Sequence, residues 1–148
     1  MLRQILVGLI AGVAFLILDG ALNANPMAQR LYAAYQPIAR QSVNALAGSA
    51  IDLAFGVLLA ALFSTLRTSL PGRTRVAKAL SFGLIVWFLR VCMRVAGEWI
   101  VTVVPADVHA YTLAAGLVQM LIVAGIIAVL LPGRPKNGTK QPAHEYDA

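Results

Sequence analysis

The sequence predicts an all-α integral membrane protein, a bundle of four transmembrane helices with both ends of the chain in the cytoplasm. Three observations carry that prediction. The 148 residues are 59% hydrophobic and only 12% charged, with a mean hydropathy of +0.78. A soluble domain carries roughly 25% charged residues, so this chain cannot cover a water-facing surface. Four apolar runs reach the length of about 20 residues that a spanning helix needs. Lysine and arginine crowd one set of connections, which is how membrane helices are oriented.

Span one runs from Gln4 to Leu22, with Arg3 just ahead of it. A basic residue before a short apolar stretch also fits a cleaved signal peptide ending at Ala24. Leu22 stands where such a site needs a small residue, and Asp19 interrupts the apolar run, so a retained span is the better reading. The stretch "NANPMAQRLYAAYQPIARQSVNA" comes next. Asn25 is placed to cap a helix that begins with Pro26 at its first position. Met27, Leu31, Tyr35 and Ile38 then share one face, which predicts a short extracytoplasmic helix lying on the membrane or folded over the bundle.

Span two runs from Leu46 to Leu66, span three from Ala79 to Val104 with Pro105 marking its end, and span four from Val108 to Leu131. Residues 1–132 form a single domain in this reading. The polar tail 133–148, rich in Gly and Pro, is expected to be disordered. "LPGR" occurs at Leu70–Arg73 and again at Leu131–Arg134. The repeat fits either a duplicated helical hairpin or, more simply, a Pro-Gly helix stop with an arginine anchor.

Arg3, Arg67, Arg73, Arg75, Lys78, Arg134, Lys136 and Lys140 fall on one side of these spans, against Arg30 and Arg40 on the other. Both termini are therefore expected in the cytoplasm, and a bacterial plasma membrane is the expected location. Trp99, Tyr111, Tyr32 and Tyr35 then form an outer aromatic belt. The net charge of +6 is accounted for by orientation, so no nucleic-acid partner is expected. The expected partners are the lipid bilayer and copies of the same chain or other membrane subunits.

Little in the chain points to catalysis or to a cofactor. Cys92 is the single cysteine, and His109 and His144 are isolated from it and from each other, so no metal site is expected. Ser42, Asn44 and Ser49 have no histidine in their sequence neighbourhood. An enzyme is not expected.

The informative residues are the ionisable ones inside the spans: Asp19, Asp52, Arg90, Arg94 and Glu98. Each Asp or Arg alone at mid-bilayer costs about 2.5–3.5 kcal/mol on insertion scales, so pairing is expected. Glycines share their faces: Gly8 and Gly12 with Asp19, Gly48 and Gly56 with Asp52, Gly83 with the arginines. At 1.5 Å per residue from the cytoplasmic ends, Asp19 lies about 24 Å up, Asp52 about 21 Å and Arg94 about 22 Å. Arg90 at about 16 Å and Glu98 at about 28 Å bracket them, and Gln119 lies near 18 Å, roughly level with Arg90. The reading is a cluster in which Asp19 and Asp52 face Arg90 and Arg94, Glu98 pairs with Arg94 one turn above, and Gln119 satisfies leftover groups. Such a cluster suits a small binding, accessory or assembly protein, with the charges serving chiefly to fix helix partners. The alternative is a small oligomeric transporter or channel in which the same residues handle an anion or a proton.

Overall fold

The computed structural model describes residues 2–37, 42 and 44–131 of the chain. The predicted tail and Ile38 of the predicted short-helix face lie outside these residues. The described residues are all-α. Helix α1 spans Leu2–Asn23, α2 Pro26–Tyr32, continued by a 3-10 turn at Ala33–Tyr35, and α3 Ala45–Leu66. Helix α4 spans Arg75–Trp87, runs through a π-helical turn at Phe88–Cys92 into α5 at Met93–Val101, and Pro105 separates that rod from α6 at Ala106–Leu130. Four helices are long and apolar enough to cross a membrane: Leu2–Asn23, Ala45–Leu66, Arg75–Val101 and Ala106–Leu130. The chain is a small multi-pass membrane protein, with apolar side chains such as Leu2, Ile17, Leu46, Ile51, Leu89 and Val129 turned outward to lipid.

Local chemistry sets the helix starts. Asn25 Oδ1 accepts from the Ala28 amide at 2.9 Å, Asn44 Oδ1 from Ala47 at 3.0 Å and Thr74 Oγ1 from Ala77 at 3.1 Å. The Thr74 cap explains why the third span begins four residues before the apolar run does: Arg75 and Lys78 form its first turn. The same rod stops at Val101, three residues early, because Thr102 is already extended on the approach to Pro105. Gly72, at φ +111°, makes the turn between α3 and α4, a left-handed conformation that side chains resist.

The helices pack as two hairpins. The most extensive interface joins α1 to α3, the next joins α4 to α6, and α1 against α6 holds the pairs together. Glycine permits the first of these. A Cβ on Gly8 would lie 2.5 Å from Val57 Cα, one on Gly12 2.7 Å from Leu53 Cα, and one on Gly56 would collide with the backbone of Gly12. The α3 and α4 sides meet mainly through side chains, with Phe63 edge-on to Phe82 at 5.2 Å and Lys78 Nζ donating to the Arg67 carbonyl. At the end of the bundle away from α2, Phe63, Leu70, Phe82, Ile127 and Leu131 close a continuous apolar core.

Candidate functional site

The α2 end of the bundle is built differently. Asn25 does more than cap: its Nδ2 donates to the Leu22 carbonyl at 2.6 Å and to Tyr111 Oη at 2.8 Å, while Tyr111 donates back to Leu22 O. This knot ties α2 to the end of α1 and to α6. Ala28 of α2 is fully buried, and Tyr32 lies edge-on to Tyr111 at 6.0 Å. The 3-10 turn then carries Tyr35 over to α5, where its hydroxyl donates to Glu98 Oε2 at 3.1 Å.

Under this cover lies a cavity of about 480 Å³ between α1, the π turn with α5, and α6. That volume falls within the range of small-molecule sites. The structure brings Asp19, Arg90, Arg94, Glu98 and Gln119 to its wall, together with Tyr32 and Tyr35. Asp52 does not line it. Asp52 sits half-buried on α3, one turn before Phe55, the ring that Arg90 rests on.

The pairing within this group is selective. Arg94 Nε donates to Glu98 Oε1 at 2.8 Å, a pair with 64% of the arginine side chain and 25% of the glutamate side chain exposed. Glu98 is therefore already occupied, by Tyr35 of the 3-10 cover and by Arg94 of α5. Gln119 Nε2 makes long contacts, 3.4 Å to Asp19 Oδ1 and 3.3 Å to the Phe15 carbonyl. Among the described residues, neither aspartate comes within 4.0 Å of an arginine nitrogen.

Arg90 is held in another way. Its guanidinium carbon stands 3.7 Å from the centroid of the Phe55 ring and 4.6 Å from that of Phe15. The two rings meet edge to face at 5.4 Å, so the cation rests against both. Arg90 donates no hydrogen bond to any described residue, although a guanidinium offers five N–H groups. Its position comes from the π turn, closed by the Met93 amide donating to the Phe88 carbonyl. The wider turn breaks the stripe on which Arg90, Arg94 and Glu98 would stand in a regular helix. Arg90 reaches inward to the phenylalanines while Arg94 stays near the exposed mouth.

Two features of this site escape a reading based on charge. The aromatic cradle has a signal in retrospect, since Phe15 precedes Asp19 by four residues and Phe55 comes three after Asp52, each on its aspartate's face. The π turn has none, because "FLRVC" is an ordinary helical string. His109, also at the α2 end, is 3% exposed and packs against Trp99 at 5.3 Å, with no hydrogen-bond partner for either ring nitrogen among the described residues.

Chemically, the wall offers one cation without a hydrogen-bond acceptor among the described residues, one largely unengaged carboxylate and a mutually satisfied ion pair. It can orient a small polar molecule, and neither histidine, serine nor cysteine lines it. Comparison of the chain with protein-family models, with curated proteins and with solved structures finds no match.

Proposed function

We propose that this protein is a non-catalytic binding protein of the bacterial plasma membrane, with both termini cytoplasmic and the α2 end outside, and that it takes a small polar ligand into the cavity beneath α2. The observation that carries this reading is Arg90. Arg90 lines the cavity, and its guanidinium is steadied by two aromatic rings and has no hydrogen-bond acceptor among the described residues. A guanidinium inside a membrane is costly to keep without partners, so it is kept where an anionic group meets it. Glu98 does not supply that group, because Arg94 and Tyr35 hold it. The apolar core at the far end of the bundle, where Phe63 meets Phe82, supports binding over conduction through the bundle.

The test is a thermal-shift screen in a non-ionic detergent at constant ionic strength. Small phosphates and carboxylates are added to the wild type and to Arg90→Gln. A ligand at 100 times its Kd stabilises by about 2.7 kcal/mol, which is readily seen. The reading expects at least one anion-bearing compound to raise the wild-type Tm and leave Arg90→Gln unmoved. Equal shifts in both proteins for every compound, or none in either, would remove it.

A further inference from the structure

The charges around Arg90 say more about the ligand than that it carries an acidic group. Asp19, Asp52 and Glu98 stand against Arg90 and Arg94 in this region, a formal charge of −1 before any ligand enters. Arg94 and Glu98 satisfy each other. That leaves Arg90 facing two aspartates it does not touch, one of them on the cavity wall. A simple anion arriving at Arg90 would bring a third negative charge beside those of Asp19 and Asp52 in a poorly screened setting. A simple cation at Asp19 would leave Arg90 without a partner. One molecule that carries both an acidic group and an ammonium resolves both problems.

We infer that the ligand is a compact zwitterion, with its phosphate or carboxylate on Arg90 and its ammonium on Asp19. Asp19 is suited to the second role. It lines the same cavity as Arg90, is half-buried and holds only a 3.4 Å contact from the Gln119 amide. Asp52, on α3 and not on the cavity wall, enters only as a further formal negative charge, which adds to the preference for an ammonium. Tyr32 and Tyr35 line the same cavity, and aromatic rings suit a neighbouring cation. This inference rests on the binding role assigned to Arg90 and adds the ligand's second pole.

A matched set of probes tests it by isothermal titration in maltoside: O-phosphoethanolamine, ethyl phosphate, which lacks the ammonium, and ethylamine, which lacks the phosphate. Phosphoethanolamine should bind at least about tenfold more tightly than either of the others, a difference of about 1.4 kcal/mol. Asp19→Asn should erase that preference while leaving the affinity for ethyl phosphate unchanged or improved, and Arg90→Gln should abolish binding of both phosphates. Ethyl phosphate binding as tightly as phosphoethanolamine to the wild type, and less tightly to Arg90→Gln, overturns the zwitterion and leaves the Arg90 reading standing. Binding of none of the three overturns the zwitterion in its soluble form. Nanodiscs then separate the sources: native mass spectrometry that retains phosphatidylethanolamine over phosphatidic acid, dependent on Asp19, identifies the zwitterion as a lipid headgroup. Retention of neither lipid, with no soluble binding, defeats both readings.

Discussion

The contact between Arg90 and Phe55 can be measured directly. Phe55→Leu keeps the apolar volume roughly intact but removes the ring on which the guanidinium rests at 3.7 Å. A cation–π contact is worth about 0.5–1 kcal/mol when exposed and about 2 when desolvated; Arg90 is half-buried, which points to about 1–2 kcal/mol. The edge-to-face pair with Phe15 adds about 0.5–1.5 kcal/mol. The single substitution should therefore cost roughly 1.5–3.5 kcal/mol, a fall in Tm of roughly 3–14 °C for a chain of this size. Only part of that belongs to the cation, so the assay is a double-mutant cycle on detergent-purified protein with Arg90→Met as the second substitution. The Phe15 pair is lost in both Phe55→Leu backgrounds and cancels. The coupling energy should be about 1–2 kcal/mol. A coupling below about 0.3 kcal/mol would mean that the ring merely fills space, and the account of how Arg90 is held without an ion pair would fail.

Three further outcomes are expected from the packing and the cover. Gly56→Val should destabilise by about 1–3 kcal/mol because its Cβ meets the Gly12 backbone, whereas Gly20→Ala, with nothing within 4 Å, should be neutral or gain up to about 1 kcal/mol; equal melting curves for the two would contradict the α1–α3 interface. Burial pushes the Tyr35 phenol above its ordinary value, and the hydrogen bond to Glu98 raises it further. A group raised in the folded state stabilises below its unfolded value, about 10, and loses that contribution as pH climbs through the folded one. Wild type should thus lose stability relative to Tyr35→Phe above about pH 10, and parallel profiles through that range would show that the latch onto α5 is not formed. With Cys92 replaced by alanine, Asp107→Cys should react with an impermeant maleimide on intact cells and Arg73→Cys should not. The reverse pattern would put the mouth of the cavity in the cytoplasm.

The helices were legible because each rests on a local rule. Length and apolarity mark the four spans, and Asn25 with Pro26 marks α2 without any tertiary information. The boundaries of the third span were missed where polar residues entered the helix: Arg75 and Lys78 look like loop until Thr74 is recognised as a cap. The candidate residues are read from the sequence as a set of levels and faces. Rise per residue puts Asp19, Arg94 and their neighbours at similar depth, and five of the six residues so identified line one cavity. Which of them touch was not legible. Arg94 and Glu98 are four apart on one helix, a local pair that spacing alone predicts. Contacts between helices depend on rotation, and the π turn alters the rotation of Arg90 relative to everything beyond it. Level and face place Asp52 in the same cluster, but in the structure it stands on α3, outside the cavity wall.

The π turn is therefore the feature on which the site depends most, and it can be removed. Leu89 lies within it, 64% exposed to lipid, so its loss takes nothing from the core. Deleting one residue from a π turn leaves a continuous α-helix with α4 and α5 close to their present orientation, because the wider turn is what accommodates the extra residue; the change falls on the residues inside the turn, Arg90 among them. Helix α4 is fixed against α6, with Gly83 close to Leu121 and Ala124, so much of the adjustment must fall near Arg90 and Val91. Val91 is already tight there: a Cβ on Gly116 would stand 2.8 Å from its methyl groups. Arg90 cannot then keep both phenylalanine contacts and its place on the cavity wall. The Leu89 deletion should retain helix content by circular dichroism and a cooperative melt, yet lose the ligand-induced shift as fully as Arg90→Gln does. If the shift survives in a folded deletion variant, Arg90 is positioned by its aromatic cradle alone and the π turn is incidental to it.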